Sequence, residues 1–106
     1  MLAKKNKLPI QNFVGKRGRL VKSGLFLVKI FPSSTAQSRF GVTISAKVAP
    51  KATDRNRLRR LIYGAIQEYY NRIPSADYWI TLLAPAAKAT KATLKSELLK
   101  LLTTNY

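Results

Sequence analysis

Residues 51–72, KATDRNRLRRLIYGAIQEYYNR, are the stretch around which the rest of the chain is predicted to fold. A single amphipathic helix is predicted here, because apolar residues recur at the spacing of one buried stripe. The stripe consists of Leu58, Leu61, Ile62, Ala65, Ile66 and Tyr69. At about 100° per residue, the opposite face carries Asn56, Arg59, Arg60, Tyr63, Gln67 and Tyr70. Thr53 or Asp54 is predicted to cap the first turn through a side-chain oxygen.

The start of this predicted helix concentrates positive charge. Its arginines are Arg55, Arg57, Arg59 and Arg60, and Asp54 is the single acid beside them. Like charges repel, and the N-terminal end of a helix dipole disfavours cations, so the cluster lowers the stability of the helix. A solvated basic face is one interpretation. A phosphate-binding face is favoured, because the remainder of the chain is also basic.

Composition narrows the class of partner. The chain has 106 residues and a formal net charge of +16, from 20 Lys and Arg against 4 Asp and Glu, with a hydrophobic fraction of 46%. One domain over residues 1–106 is predicted, with residues 1–7 as a mobile basic arm. Nucleic acid is the expected partner and an acidic membrane surface the second choice. No transmembrane run or signal peptide is apparent, so a cytoplasmic protein is expected.

Three strands are predicted around the helix. Residues 25–31 have the length and β-branched content of a strand, with Phe26, Val28 and Ile30 on one face. Residues 39–47 alternate, and their polar face consists of Arg39, Gly41, Thr43, Ser45 and Lys47. That face fits either the solvated side of an antiparallel sheet or the floor of a groove for RNA, with Gly41 allowing close approach. Residues 77–84 are nearly apolar on both faces and are predicted to form a central strand.

The remaining segments complete the predicted fold. A short helix is predicted over residues 8–14 with Pro9 in its first turn, and Phe13 either packs in the core or is exposed for stacking. Residues 16–24 form a loop or contain an extra strand, and residues 32–38 a turn or hairpin loop. Thr90 or Thr93 caps a last helix with Leu94, Leu98, Leu101 and Leu102 on one stripe. The order α-β-β-(β)-α-β-α predicts an α/β (α+β) fold, a two-layer mixed β-sheet with helices packed on one side.

Catalysis by the chain's own side chains is not expected. There is no cysteine and no histidine, so thiolate nucleophiles and histidine bases are excluded. The carboxylates are Asp54, Glu68, Asp77 and Glu97, and no spacing among them predicts a general acid–base pair. No glycine-rich nucleotide-binding loop occurs either. No catalytic residue and no metal-binding residue is therefore predicted.

Residues 39–62, RFGVTISAKVAPKATDRNRLRRLI, resemble the signature of the bacterial ribonuclease P protein subunit. That family has an Arg-x-Gly strand running into Ser-Lys-Lys-Val, a short linker, and a helix that opens Arg-Asn-Arg with a basic pair two residues on. The matching residues are Arg39, Gly41, Ser45, Lys47, Val48, Lys51, Ala52, Arg55, Asn56, Arg57, Arg59, Arg60 and Leu61. The resemblance spans residues 8–102. Ala46, Tyr63, Gly64 and Ala84 depart from the usual Lys, Arg, Glu and Arg.

The resemblance implies a mixed sheet with a left-handed βαβ crossover, an exception to the right-handed rule. It also implies that a catalytic RNA subunit holds Mg²⁺ and removes the 5′ leader of precursor tRNA, with no organic cofactor bound to the protein. The predicted RNA-binding residues are Arg55, Asn56, Arg57, Arg59, Arg60, Lys47 and Lys51. The predicted leader groove consists of Arg39, Thr43, Ser45 and Phe13.

Two other functions remain open on the residues alone. A basic structural protein of the ribosome would suit the arginine-rich helix without any role in cleavage. A protein that binds acidic membranes would need an apolar lipid-facing side on that helix, and the predicted core requires the same stripe.

Overall fold

The computed structural model describes residues 6–32 and 38–103. Its strands are β1 (Arg19–Lys22), β2 (Phe26–Phe31), β3 (Arg39–Thr43) and β4 (Asp77–Leu82), and its helices are α1 (Ala52–Glu68) and α2 (Lys91–Thr103). Short 3₁₀ turns lie at Ile10–Asn12, Tyr70–Arg72 and Ala84–Lys88. Within the described residues the strands form one mixed sheet in the order β1-β2-β4-β3. The predicted α+β class is confirmed, and β1 is the extra strand left open between residues 16 and 22.

β4 is the central strand, as predicted. It pairs antiparallel with β2 and parallel with β3, in registers that include Val28↔Ile80 and Val42↔Ile80. Parallel neighbours need a crossover, which α1 supplies between β3 and β4. Of the two predictions for residues 32–38, the hairpin loop is wrong, because β4 lies between β2 and β3. Residues 33–37 lie outside the described residues, so the alternative of a turn stays a prediction. The left hand of the crossover stays a prediction.

Both helices pack on one face of the sheet and enclose the main core. The core takes alternate residues from the strands, including Phe26, Val28, Phe40, Tyr78 and Ile80, and the stripes of α1 and α2. The rings of Phe40 and Tyr78 stack with centroids 5.1 Å apart. On α2 the buried leucines are Leu94, Leu98 and Leu102, as the periodicity predicts, and Thr90 Oγ1 accepts from the Thr93 N–H at 3.2 Å.

The N-terminal segment crosses the opposite face of the sheet. The Leu8 N–H donates to the Phe40 carbonyl at 2.9 Å, and Leu8, Phe13 and Phe31 form a second small core. The predicted helix over residues 8–14 is only the 3₁₀ turn Ile10–Asn12, and Gly15 follows it with a φ of 83°. Such a φ is unfavourable for residues other than glycine, which explains the stop.

The predicted mobile arm is wrong for its last two residues, while residues 1–5 lie outside the described part of the chain. Asn6 is buried, and its Nδ2 donates to the Ser38 carbonyl at 2.9 Å and to the Tyr70 hydroxyl at 3.0 Å. Lys7 forms a bridge with Phe40 at the outer edge of β3. Asn6 and Lys7 are therefore ordered by pairing with β3 and by contact with Tyr70.

Two predictions about α1 need correction. Lys51 is the N-cap residue and no side chain caps the helix, so Thr53 and Asp54 lie inside it. Tyr63, predicted on the polar face, is only 6% exposed, because its ring packs in the main core and its hydroxyl lies near the backbone of Val42 in β3. Burial raises the pKa of this hydroxyl above its ordinary value. The predicted stripe is otherwise buried or half-buried.

β3 is shorter than the predicted strand of residues 39–47. Its ladder with β4 ends at Thr43↔Thr81. Beyond it the Ser45 carbonyl accepts from the N–H groups of Val48 and Ala49 at 3.1 Å, which turns the chain toward α1. Ala46, predicted to face the core, is therefore exposed in the turn.

Candidate nucleic-acid interface

The surface at the start of α1 carries most of the predicted RNA-binding residues. Asn56, Arg57 and Arg60 are exposed, and Arg59 is partly exposed. Lys47 lies in the turn before the helix and Lys51 at its N-cap, and both are exposed. We call Lys47, Lys51, Asn56, Arg57, Arg59 and Arg60 the basic surface. Lys47 lies in the turn that precedes α1, and the other residues lie at the start of α1. The fold therefore presents these side chains near the same end of one helix.

Two of the arginines have their orientation set by polar neighbours. Arg59 Nη1 donates a hydrogen bond to Asn56 Oδ1 at 3.0 Å. Arg57 Nη2 lies 3.5 Å from Asp54 Oδ1, and with 70% of its side chain exposed this pair contributes little stability. A surface cavity of about 270 Å³ is lined by Asn56, Arg59, Arg60 and Tyr63. Planar guanidinium groups held beside such a cavity suit the bidentate binding of phosphate oxygens.

Arg55 differs from the other arginines of the cluster. Its Nη1 donates to the carbonyls of Ala49 and Pro50, at 2.7 and 2.9 Å. These contacts hold the linker between β3 and α1 against the first turn of the helix. The structure therefore gives Arg55 a part in supporting the basic surface, whereas the sequence predicts that it contacts RNA.

The sheet face opposite the helices offers a second surface. The N-terminal segment covers the end of this face near Phe31 and Gly41, and the small core that it forms also packs against Trp79. Across the remainder, the strand register places side chains of mixed character in two rows. One row is Leu20, Lys29 and Trp79, and the next is Lys22, Leu27, Thr81 and Thr43. We call these two rows the open sheet face.

Trp79 is the dominant aromatic of the open sheet face. Its side chain is partly exposed, and its Nε1 donates to Thr43 Oγ1 at 2.9 Å. Lys29 Nζ lies 5.4 Å from the ring centroid, a cation–π distance. Neither Trp79 nor Lys29 was among the predicted site residues. The sequence pattern could have identified both residues, because each alternates with core residues along its strand. Trp79 was missed because β4 was interpreted as apolar on both faces.

The predicted groove residues fall in different environments. Thr43 lies on the open sheet face and accepts from Trp79. Ser45 is exposed just beyond the end of β3. Phe13 is only 7% exposed and packs against Phe31 with centroids 4.9 Å apart, so the core alternative is confirmed and the exposed stacking position is wrong.

Arg39 forms an ion pair with Asp77 that lies at the covered end of the sheet. Its Nε and Nη2 donate to the two carboxylate oxygens at 3.2 and 2.9 Å, and the Asp77 side chain is fully buried. The hydrogen bond to this carboxylate raises the pKa of Arg39. The ion pair joins β3 to β4, a structural role for a residue that was predicted to bind the leader.

Packing against the N-terminal segment explains why residue 41 is a glycine. A Cβ at Gly41 would lie 2.6 Å from Ile10 Cγ1 and 3.2 Å from Leu8 Cβ. The sequence predicts that RNA approaches the backbone closely at Gly41, but the N-terminal segment of the same chain occupies that place.

Among the residues that the structure describes, no helix has the length and hydrophobicity needed to cross a membrane.

Comparison with known proteins identifies the family that shares these features. The family model described as Ribonuclease P matches residues 5–106. The ribonuclease P protein component of Bordetella petrii is 34% identical over 85 residues, covering 76% of this chain and 69% of the relative. That of Microcystis aeruginosa is 35% identical over 86 residues, covering 78% of this chain and 72% of the relative.

Solved structures agree with the fold. The RNase P protein from Thermotoga maritima superposes with a TM-score of 0.84 at 22% identity, covering 94% of this chain and 97% of that chain. The Staphylococcus aureus RNase P protein gives a TM-score of 0.78 at 21% identity, covering 96% of this chain and 90% of that chain.

Proposed function

The chain belongs to the ribonuclease P protein family, and from that premise we propose that its basic surface binds the catalytic RNA while its open sheet face binds the 5′ leader of precursor tRNA. As a ribonuclease P protein component it is a subunit of an endoribonuclease complex. In this proposal it assists removal of the leader during 5′ maturation of tRNA. The ribosomal alternative gains no support from the family match.

The observation that carries the first half of the proposal is the exposure of the guanidinium groups on α1. Arg57, Arg59 and Arg60 project from one helix, with only Asp54 nearby to offset them. Phosphate contacts dominate protein affinity for RNA, and arginine binds phosphate through paired hydrogen bonds. The apolar stripe of the same helix is buried in the core, so it offers no lipid-facing side.

The second half rests on Trp79. Single-stranded nucleic acid is commonly bound by aromatic side chains on which bases stack, next to cations that follow the backbone. The open sheet face has one such ring, with Lys29 above it and Thr43 fixing its indole. Trp79 replaces Phe13 in the proposed leader site. Thr43 and Ser45 keep their proposed places beside it.

We assign the chemistry to the RNA subunit, with Mg²⁺ held mainly by RNA. Three of the four carboxylate side chains are paired with cations, Asp77 with Arg39, Glu68 with Lys95 and Asp54 with Arg57, and among the described residues no three acidic side chains are placed to share a metal ion. Mg²⁺ sites in proteins use carboxylates and substrate phosphates around one octahedral ion, and these dispersed groups do not fit that arrangement. The protein's own residues would bind and orient RNA.

Reconstitution tests the proposal. At low Mg²⁺ concentration, leader removal from precursor tRNA is expected to need this protein together with the catalytic RNA. Replacing Arg59 and Arg60 together by alanine should weaken RNA association and lower the slope of log K against log salt by roughly one unit per lost phosphate contact. A matched control removes the same charge elsewhere, through Arg72→Ala with Lys88→Ala.

Two results would contradict the proposal. Unchanged affinity and salt slope in the Arg59 and Arg60 variant would remove the basic surface from the RNA interface. Cleavage by the protein without the RNA would show that the chemistry is wrongly assigned.

A further inference from the structure

A cavity between α1 and α2 borders the basic surface at Arg60 and is otherwise separate from the two surfaces described above. It has a volume of about 290 Å³ and is lined by Arg60, Leu61, Gly64, Ala65, Glu68, Lys91 and Lys95. Arg60 also lines the cavity beside Asn56 and Arg59. The cavity therefore adjoins the basic surface at one shared side chain, and α2 forms its other wall.

Gly64 forms part of the cavity wall and has no packing explanation. Glycine in the interior of a helix destabilises it relative to alanine, so a helical glycine usually has a neighbour that requires it. A Cβ built at Gly64 has no heavy atom within 4 Å. The helix would accept a side chain here without a clash. What the glycine does provide is bare backbone at a place where a ligand can approach closely.

The charges around the cavity favour an anion. Arg60 and Lys91 are exposed on its two helical walls. Lys95 Nζ donates to Glu68 Oε2 at 2.7 Å, so the single carboxylate of the lining is paired with a cation. Lys91 is also the first residue of α2, where the positive end of the helix dipole adds to the attraction. The remaining cations have no second carboxylate in the lining to offset them.

We propose that this cavity binds a backbone phosphate of the catalytic RNA, with Arg60 and Lys91 as its ligands and Gly64 giving the clearance. The RNA strand that contacts the basic surface would continue past Arg60 and reach α2. The assignment rests on the proposed function, because it takes the bound polyanion to be the catalytic RNA. It adds α2, for which the sequence predicts only core packing, to the interface.

Binding measurements on Gly64→Glu test this assignment. The substitution restores the glutamate that the family usually has at this position, so it removes a contact proposed for this chain in particular, and it improves helix propensity, so the helix itself should tolerate it. Affinity for the catalytic RNA is expected to fall about tenfold, with a salt slope lower by roughly one unit. Ser96→Glu is the matched control, since it adds the same charge on an exposed position of α2 outside the cavity and should leave both quantities nearly unchanged.

Lys91→Gln provides a second, milder variant on an exposed side chain, and it too should lower the affinity and the salt slope. Circular dichroism of each variant checks the fold. Three results would overturn the assignment. They are an equal loss of RNA affinity in Gly64→Glu and Ser96→Glu, an unchanged affinity in Lys91→Gln, and a loss of affinity for precursor tRNA alone. The proposed function is separable: if the Arg59 and Arg60 variant loses affinity and the cavity variants do not, only the cavity assignment fails.

Discussion

Arg39 and Arg55 both fit the family motif, and the fold uses the guanidinium group of each. Arg39 binds the buried carboxylate of Asp77, and Arg55 binds the carbonyls of Ala49 and Pro50. Sequence spacing placed both among the RNA ligands, because periodicity gives the face of a side chain and not its hydrogen-bond partner. In the described part of the chain, the exposed arginines of α1 have no buried carboxylate like Asp77 and no linker carbonyls like those of Ala49 and Pro50 as partners.

Asp77→Asn should destabilise the protein strongly. The change removes the charge that pairs with Arg39 at a fully buried position, and breaking a buried ion pair costs about 3 kcal/mol. Urea unfolding measures the loss. Asp54→Asn is the control, because its pair with Arg57 is exposed and should contribute less than about 1 kcal/mol. Similar losses of unfolding free energy in the two variants would show that the ion pair with Arg39 is not what makes Asp77 important for stability.

Trp79→Ala should weaken binding of precursor tRNA to the reconstituted complex through the leader alone. Stacking on an aromatic side chain contributes about 1–3 kcal/mol per base, so the affinity should fall by roughly 5-fold to 150-fold. Mature tRNA without a leader should bind as before, and Trp79→Phe should retain most of the affinity. A loss of equal size with and without the leader would remove Trp79 from the proposed leader site.

At the scale of elements, the N-terminal segment is the part that the sequence describes least well. It forms one 3₁₀ turn in place of a helix, and it docks on β3 and on Phe31. Local propensity could not predict this docking, since the contacts that stabilise the segment join residues far apart in the chain. Phe13 shows the result: from the segment alone, a buried ring and an exposed one were both consistent with its sequence.

Gly41→Ala tests whether the N-terminal segment needs bare backbone on β3. The added methyl group would meet Ile10 Cγ1 at 2.6 Å, so the segment must shift, at a cost of about 1–3 kcal/mol. Ile10→Ala combined with Gly41→Ala should restore part of the loss. Gly24→Ala is the control, because a Cβ at Gly24 has no neighbour within 4 Å. Unfolding free energies of all three variants complete the test, and equal effects at Gly41 and Gly24 would contradict it.

For the whole molecule, the layered architecture was predictable and the strand order was not. Alternation in residues 25–31 and the 3.6-residue period of α1 and α2 located the core faces correctly. Residues 32–38 were predicted as a turn or a hairpin loop, and a hairpin would make β2 and β3 neighbours, yet β4 separates them. The family signature predicted the basic surface, while Trp79, Lys29 and the cavity at Gly64 became visible only once strands and helices were placed side by side.

The central position of β4 also bears on how the chain folds during synthesis. β4 is C-terminal to the other three strands, and β2 and β3 have no common partner until it is made. Translation proceeds from the N-terminus, so the arginines of α1 leave the ribosome before the sheet can close. Pairing between distant segments is also slow compared with local helix formation. The arginines that we propose to bind RNA are therefore synthesised before the strand that completes the native core.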